Sequence, residues 1–247
     1  MVNVNFKRYE VNVSSGELVS IIGANGSGKT TFIKRICGKL NNQDLFINNK
    51  SISEYSLDYK KHNIACVFSD NRYNTESFSL ELEYYLVKLF DKNECRDRIN
   101  YFIEYFNLDS VYDKKIIDLT NEDRVYLKIL SLLIIKPIIF CIDDMLVYLN
   151  NEKKERILNY IKENDIILFS VISNMEEILK YDKVLVINKG EKELFDDVKN
   201  VLKDENLFKE LGLSLPFIYD INNLLKSYDL IESNHIVEKE LVDVLWK

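Results

Sequence analysis

Gly23-Ala24-Asn25-Gly26-Ser27-Gly28-Lys29-Thr30-Thr31 fits the pattern G-x-x-x-x-G-K-[ST] at every position. Only 7 glycines occur in the whole chain, so three of them at 23, 26 and 28 are not a by-product of composition. Upstream, 17–22 reads as a buried strand; downstream, a helix is expected from about 29 to 40. The pattern requires that strand–loop–helix setting. Glycines let the backbone turn tightly and present consecutive N–H groups to phosphate oxygens. The helix start adds its positive dipole end. Asn25, Gly26, Ser27, Gly28, Lys29, Thr30 and Thr31 are therefore candidate phosphate-binding residues. Lys29 is placed to reach the β- and γ-phosphates, and the Thr30 hydroxyl to ligate Mg2+, which points to ATP with Mg2+.

Outward from the loop, apolar runs without alternation recur at 45–47, 64–68, 138–142, 166–172 and 183–187. They suit strands of a parallel sheet covered on both faces. Between about 78 and 135 the texture changes to helical spacing, as in Leu82, Leu86, Leu89 and Phe90, then Ile99, Phe102, Ile103 and Phe106. This predicts a helical insertion between two strands. A polar helix follows at 151–164, and from about 191 the chain reads mostly helical, interrupted at Gly212 and Pro216. The expected organisation is an α/β domain over 1–190 with a helical subdomain at about 78–135, then a small helical domain over 191–247.

The run 138–142 ends in Asp143-Asp144. Asp143 is the candidate carboxylate for Mg2+, and Asp144 the candidate general base or water-orienting group. Two acids after a strand also suit a turn or a helix cap.

Composition removes several classes. A net charge of −7 argues against a general nucleic-acid binder. Cys37, Cys66, Cys95 and Cys141 form no C-x-x-C pair and read as free thiols. His62 and His235 stand without metal-ligand company, and Lys153-Lys154-Glu155-Arg156 reads as a solvated helix face. The first residues show no signal-peptide pattern. The most apolar stretch, 129–142, is broken by Lys136-Pro137 and is too short to span a bilayer, so a membrane role would fall to a partner.

Phosphate loop, helical insertion, acid-tipped strand and a further strand, in that order, make the chain resemble the ATP-binding-cassette (ABC) ATPases. Within them it is similar to the ATPase subunits of energy-coupling-factor (ECF) importers. That second likeness rests on Ile64-Ala65-Cys66-Val67-Phe68, Ser79-Leu80-Glu81-Leu82-Glu83 and Leu211-Gly212-Leu213-Ser214-Leu215-Pro216-Phe217. It rests also on an acidic final helix ending Leu241-Val242-Asp243-Val244-Leu245-Trp246. The resemblance implies a P-loop NTPase of ABC type with a mixed sheet and a C-terminal dimerisation-type domain. It implies a subunit peripheral to the cytoplasmic face of the membrane, coupling MgATP binding and hydrolysis to nutrient uptake through an integral membrane partner. A second ABC ATPase subunit, in a heterodimer, is implied as well.

Carried over residue by residue, Lys29, Thr30 and Asp143 agree with the family. Its glutamine falls on Ser69, a possible metal contact, its catalytic glutamate on Asp144 and its switch histidine on Ser173. Its Leu-Ser-Gly-Gly-Gln signature falls on Leu119-Thr120-Asn121-Glu122-Asp123. Tyr9, with Phe6 as alternate, stands where the family stacks adenine, though it equally suits an ordinary strand. Tyr84-Tyr85 suits either a groove for a partner's coupling helix or the core. Asp144 is one methylene short of glutamate, and a misplacement of about 1 Å can lose about a hundredfold in rate. Each acid in the signature would repel a phosphate by ~3 kcal/mol at ~5 Å and an effective dielectric near ~20. Thr120 to Asp123 also reads as a capping box opening a structural helix. Binding is expected to survive these departures better than hydrolysis, and a nucleotide-binding scaffold with little turnover is the alternative function.

Overall fold

The computed structural model describes residues 2–40, 42–70 and 72–228. The expected final helix ending at Trp246, and His235, lie outside the described residues. The elements, in chain order, begin with β1 (Asn3–Phe6), β2 (Val11–Ser14), β3 (Leu18–Ile22), α1 (Lys29–Ile36), β4 (Leu45–Ile47) and β5 (Lys50–Ser51). Next come α2 (Leu57–Asn63), β6 (Ile64–Val67), α3 (Phe78–Leu86), α4 (Lys92–Phe106) and α5 (Asn121–Leu133). The chain continues with β7 (Ile139–Asp143), α6 (Asn151–Glu163), β8 (Ile167–Val171), β9 (Lys183–Asn188) and β10 (Glu191–Asp197). The described residues close with α7 (Val198–Val201), α8 (Glu205–Leu211) and α9 (Phe217–Ser227).

The main sheet runs in the order β10-β9-β3-β8-β7-β6. Five of its strands are mutually parallel, and β10 pairs antiparallel at the edge. Leu18 and Ile22 of β3 enter one core cluster while Val19 and Ile21 enter the other. Both faces of the strand are thus covered, which favours apolar residues on both and produces the unalternating runs, with Ser20 the buried polar exception in β3. Each fully buried Leu or Ile contributes about 1.5–3 kcal/mol.

Two parts differ from the sequence reading. The run 45–47 is β4, which pairs antiparallel with β1 in a separate sheet of order β2-β1-β4-β5. β1 and β2 were not expected, although Val-Asn-Val-Asn-Phe alternates as a half-buried strand should. The stretch from 191 opens with a seven-residue strand rather than a helix. It lies at the solvated sheet edge, where Glu, Lys and Asp side chains face water.

Three helices, α3 to α5, lie between β6 and β7, as the spacing predicts. Each has a side-chain N-cap: Ser77 accepts from Leu80 N–H, Asp91 from Asn93 and Glu94, and Thr120 from Asp123. Glu81 is buried, and its carboxylate accepts from the N–H groups of Asn74 and Thr75 at 2.8 and 2.9 Å, which holds the loop leading into α3. Among the described residues no helix is long and apolar enough to cross a membrane.

Parallel strands deliver all their C-terminal ends to one edge of the sheet. β3 therefore places the phosphate loop beside the end of β8, and β8 lies beside β7 and its terminal Asp143.

Candidate functional site

The loop from Gly23 to Gly28 lies against the β9–β10 hairpin. A Cβ on Gly23 (φ 148) would stand 2.2 Å from the Ile187 carbonyl oxygen, and one on Gly28 (φ 108) 3.0 Å from Gly190 Cα. The first clash excludes any side chain at Gly23, and the tight backbone contact together with the positive φ favours glycine at 28. The Lys29 ammonium folds back over the loop, donating to the carbonyls of Gly23 at 2.7 Å and Ala24 at 2.9 Å. Neutral carbonyls are weaker partners for an ammonium than phosphate oxygens are. Ser27 Oγ, in a residue 6% exposed, has no protein partner. A buried hydroxyl left orphaned inside such a loop calls for an acceptor, and a phosphate oxygen fits.

The Thr30 hydroxyl donates to Asp143 Oδ1 at 3.1 Å, joining the start of α1 to the tip of β7. This alcohol and carboxylate are hard oxygen donors of the kind Mg2+ takes alongside nucleotide phosphates. Burial pulls the Lys29 ammonium below its ordinary pKa, against the opposing pull of Asp144 and Asp143. Burial also pushes the Asp143 carboxyl up; Asp144 adds to this, and the Thr30 hydroxyl opposes it. A carboxyl raised by folding is favoured in its neutral form, so it costs stability as pH rises through its folded pKa. A cation held by the carboxylate reverses that cost. The rise in thermal midpoint given by Mg2+ with nucleotide is thus expected to be larger at about pH 8 than at about pH 5. Scanning calorimetry at both pH values checks this, and equal rises would contradict it.

Asp144 follows with φ 53, a left-handed conformation that Asp and Asn tolerate better than most side chains. It lines one small pocket with Ser173, Asn174 and Glu177. The structure therefore brings Lys29, Thr30, Asp143, Asp144 and Ser173 to one edge of the sheet. Ser69 is exposed beyond the end of β6, and its carbonyl accepts from Lys128 Nζ at 3.4 Å.

The sequence profile of the ABC transporter family matches residues 6–147, a stretch running from β1 through Asp143-Asp144. The chain belongs to the ABC transporter family. This ABC ATPase is 28% identical over 228 residues to the energy-coupling factor transporter ATP-binding protein EcfA1 of Mycoplasma mobile, spanning 89% of this chain and 83% of that one. It is 24% identical over 254 residues to the protein of the same name from Streptococcus sanguinis, spanning 99% and 91%. The ECF likeness read from the sequence agrees with both. Among solved structures, cbiO1 from Clostridium perfringens, part of the ABC transporter complex cbiONQ, superposes with a TM-score of 0.71 at 21% identity, covering 89% of this chain and 97% of that one. A dimeric ATP-binding cassette in a post-hydrolysis state with ADP and Pi gives 0.66 at 20% identity, covering 80% and 99%. These agree with the ABC-type P-loop fold.

The segment 119–123, read above as the counterpart of the family signature, leads into α5. Asp123 N–H donates to Thr120 Oγ1 at 3.1 Å, while the Thr120 hydroxyl donates to the Asp123 carboxylate at 2.7 Å. Only one arm of a capping box forms, because the carboxylate takes the hydroxyl instead of the Thr120 backbone N–H. Thr120→Ala is expected to cost about 1 kcal/mol, read as a lower urea midpoint.

Lys153 corrects the reading of 153–156 as a solvated face. Its Nζ sits 2.7 Å from Asp123 and 3.6 Å from Glu122, and Glu122 also accepts from Asn150 N–H at 2.9 Å. Burial alone would raise the Asp123 carboxyl, but the Lys153 and Thr120 hydrogen bonds outweigh it and hold it low. Both acids meet a cation of their own chain, so the repulsion of ~3 kcal/mol expected toward a phosphate overstates their effect. Lys154 is buried against Glu177 at 2.9 Å. A pairing across helices leaves no mark on local charge pattern, which is why neither contact was foreseen.

The stacking expectation for Tyr9 needs correction. Its side chain is enclosed, 1% exposed, with Phe6 at 5.0 Å and Phe32 at 4.8 Å between ring centroids. Neither ring face is available to a base. Phe6, the alternate, is buried to the same extent.

Proposed function

We propose that this chain is the MgATP-binding subunit of an ECF-type importer, driving uptake of a small nutrient through an integral membrane partner. The observation that carries the reading is the phosphate loop itself, with Lys29 folded over it and Thr30 joined to Asp143, in a chain of the ABC family. Asn25 to Thr31 hold the phosphates, and Thr30 and Asp143 hold Mg2+, with Ser69, beyond the end of β6, as a weaker candidate for the metal. When bound, the metal neutralises charge on the β- and γ-phosphates. Asp144 and Ser173 take the positions of base and switch residue, with hydrolysis weakened by their short reach.

Because β10 completes the main sheet, the boundary expected at 190 moves to about 197. The proposed organisation is an ABC domain up to that point with a helical subdomain at about 78–135, and a dimerisation-type domain in the remainder of 191–247. The partners are a second, more complete ABC ATPase and a membrane protein, with this chain peripheral to the cytoplasmic face. A cavity of about 690 Å³ supports the membrane contact. Tyr85 and Leu89 line it beside Lys61, His62 and Lys88, between α2, β6, α3 and α5. A tagged chain purified from its host should bring down a second ATPase and an integral membrane protein. Recovery of a soluble partner alone would overturn the importer reading. The departures at Ser69, Asp144, Ser173 and 119–123 favour a second reading, a nucleotide-binding scaffold with little turnover of its own.

A further inference from the structure

The enclosed Tyr9 belongs to a contact that reaches the phosphate loop. Its hydroxyl donates to the Gly190 carbonyl at 3.1 Å, at the turn between β9 and β10. Gly190 N–H in turn donates to the Ser27 carbonyl at 2.7 Å. In a trans peptide the C=O and the following N–H point to opposite sides. Aiming the Ser27 carbonyl at the hairpin therefore aims the Gly28 N–H away from it, toward the cradle. The ring of Tyr9 also packs edge-on against Phe32 of α1, whose N–H donates to the Gly28 carbonyl at 2.9 Å. One side chain thus touches both the turn that props the loop and the helix that follows it.

The flanking residues repeat the pairing. Arg8 meets Glu191 at 2.6 Å, and Glu10 meets Lys192, so three successive residues face three successive residues. Both flanking pairs include a well-exposed acid and are screened by water. The Tyr9 bond is part-buried, with the tyrosine itself enclosed, and losing it would leave the Gly190 carbonyl without this donor.

We propose that Tyr9 is a positioning residue for phosphate binding, holding the loop from Ser27 to Gly28 through Gly190 rather than touching the base. This rests on the nucleotide reading above. The test is Tyr9→Phe in the full chain, which keeps the ring and removes only the hydroxyl. Calorimetric titration with MgATP, and separately with magnesium tripolyphosphate, is run beside thermal unfolding. Loss of one neutral hydrogen bond corresponds to about a fivefold weaker dissociation constant. The same factor is expected for both ligands, since tripolyphosphate has no base. A folded Tyr9→Phe that binds both as tightly as wild type overturns the proposal. So does a loss confined to MgATP, which would place the hydroxyl at the base. Gly190→Ala provides a second route: its Cβ meets nothing within 4 Å, but φ 84 strains the turn. It should show the same base-independent loss, and wild-type binding by it would count against the strap. If wild-type protein binds neither ligand, the nucleotide reading itself fails.

Discussion

Lys29→Ala is expected to weaken MgATP binding about a hundredfold and to remove detectable turnover. Two losses combine. The ammonium is the cation placed at the head of α1, where it would exchange two carbonyl partners for oxygens of the β- and γ-phosphates. A hydrogen bond to a charged group is worth about 1.5–3 kcal/mol, so losing one or two of them corresponds to roughly ten- to several-hundredfold in affinity or more. The variant also frees the Gly23 and Ala24 carbonyls, which loosens the preformed cradle. Because burial lowers the Lys29 pKa, affinity should fall as pH rises through that lowered value. Fluorescent-nucleotide binding measures this directly. A Lys29→Ala protein that binds MgATP like wild type would remove Lys29 from the site.

Asp144→Glu should change the rate in the opposite direction, raising single-site hydrolysis by about tenfold or more. Asp144 shares a pocket with Ser173, at the end of the strand that carries Asp143. One added methylene carries the carboxylate about 1 Å farther, the scale on which alignment with an attacking water changes rates by about a hundredfold. Opposing this, φ 53 suits Asp better than Glu, and the difference in backbone cost takes back part of the gain. Phosphate release under saturating MgATP is the readout, with nucleotide affinity measured alongside. Unchanged affinity with faster release is the expected pattern. A slower Asp144→Glu enzyme would show that the aspartate already reaches its water.

Legibility in the sequence followed the locality of the physics. The phosphate loop is nine consecutive residues whose spacing is dictated by phosphate geometry, and its strand and helix flank it directly. Asp143 was equally readable, since a buried strand tipped with acid is a local pattern. Residues 45–47 read as a core strand because three apolar residues carry no period, and nothing local separates β4 from the main sheet. Tyr9 misled for a tertiary reason: β1, β2 and β4 fold over α1 and enclose a side chain that the sequence leaves open to a ligand. Lys153 was unreadable in the same way, since its acids lie thirty residues upstream on another helix. The Lys189–Gly190 turn did carry a signal, glycine between two strand-like segments, but its contact with Ser27 appears only when β9 lies beside β3.

The proposed pairing of a well-kept nucleotide site with weakened hydrolysis is tested most directly by a single-turnover experiment. Wild-type protein in excess over radiolabelled MgATP should bind nearly all of the nucleotide while converting it to ADP slowly. Hydrolysis should be faster when the proposed second ATPase subunit is added. Fast conversion by the isolated chain, in the range of about 1–10³ per second typical of enzymes, would contradict the account.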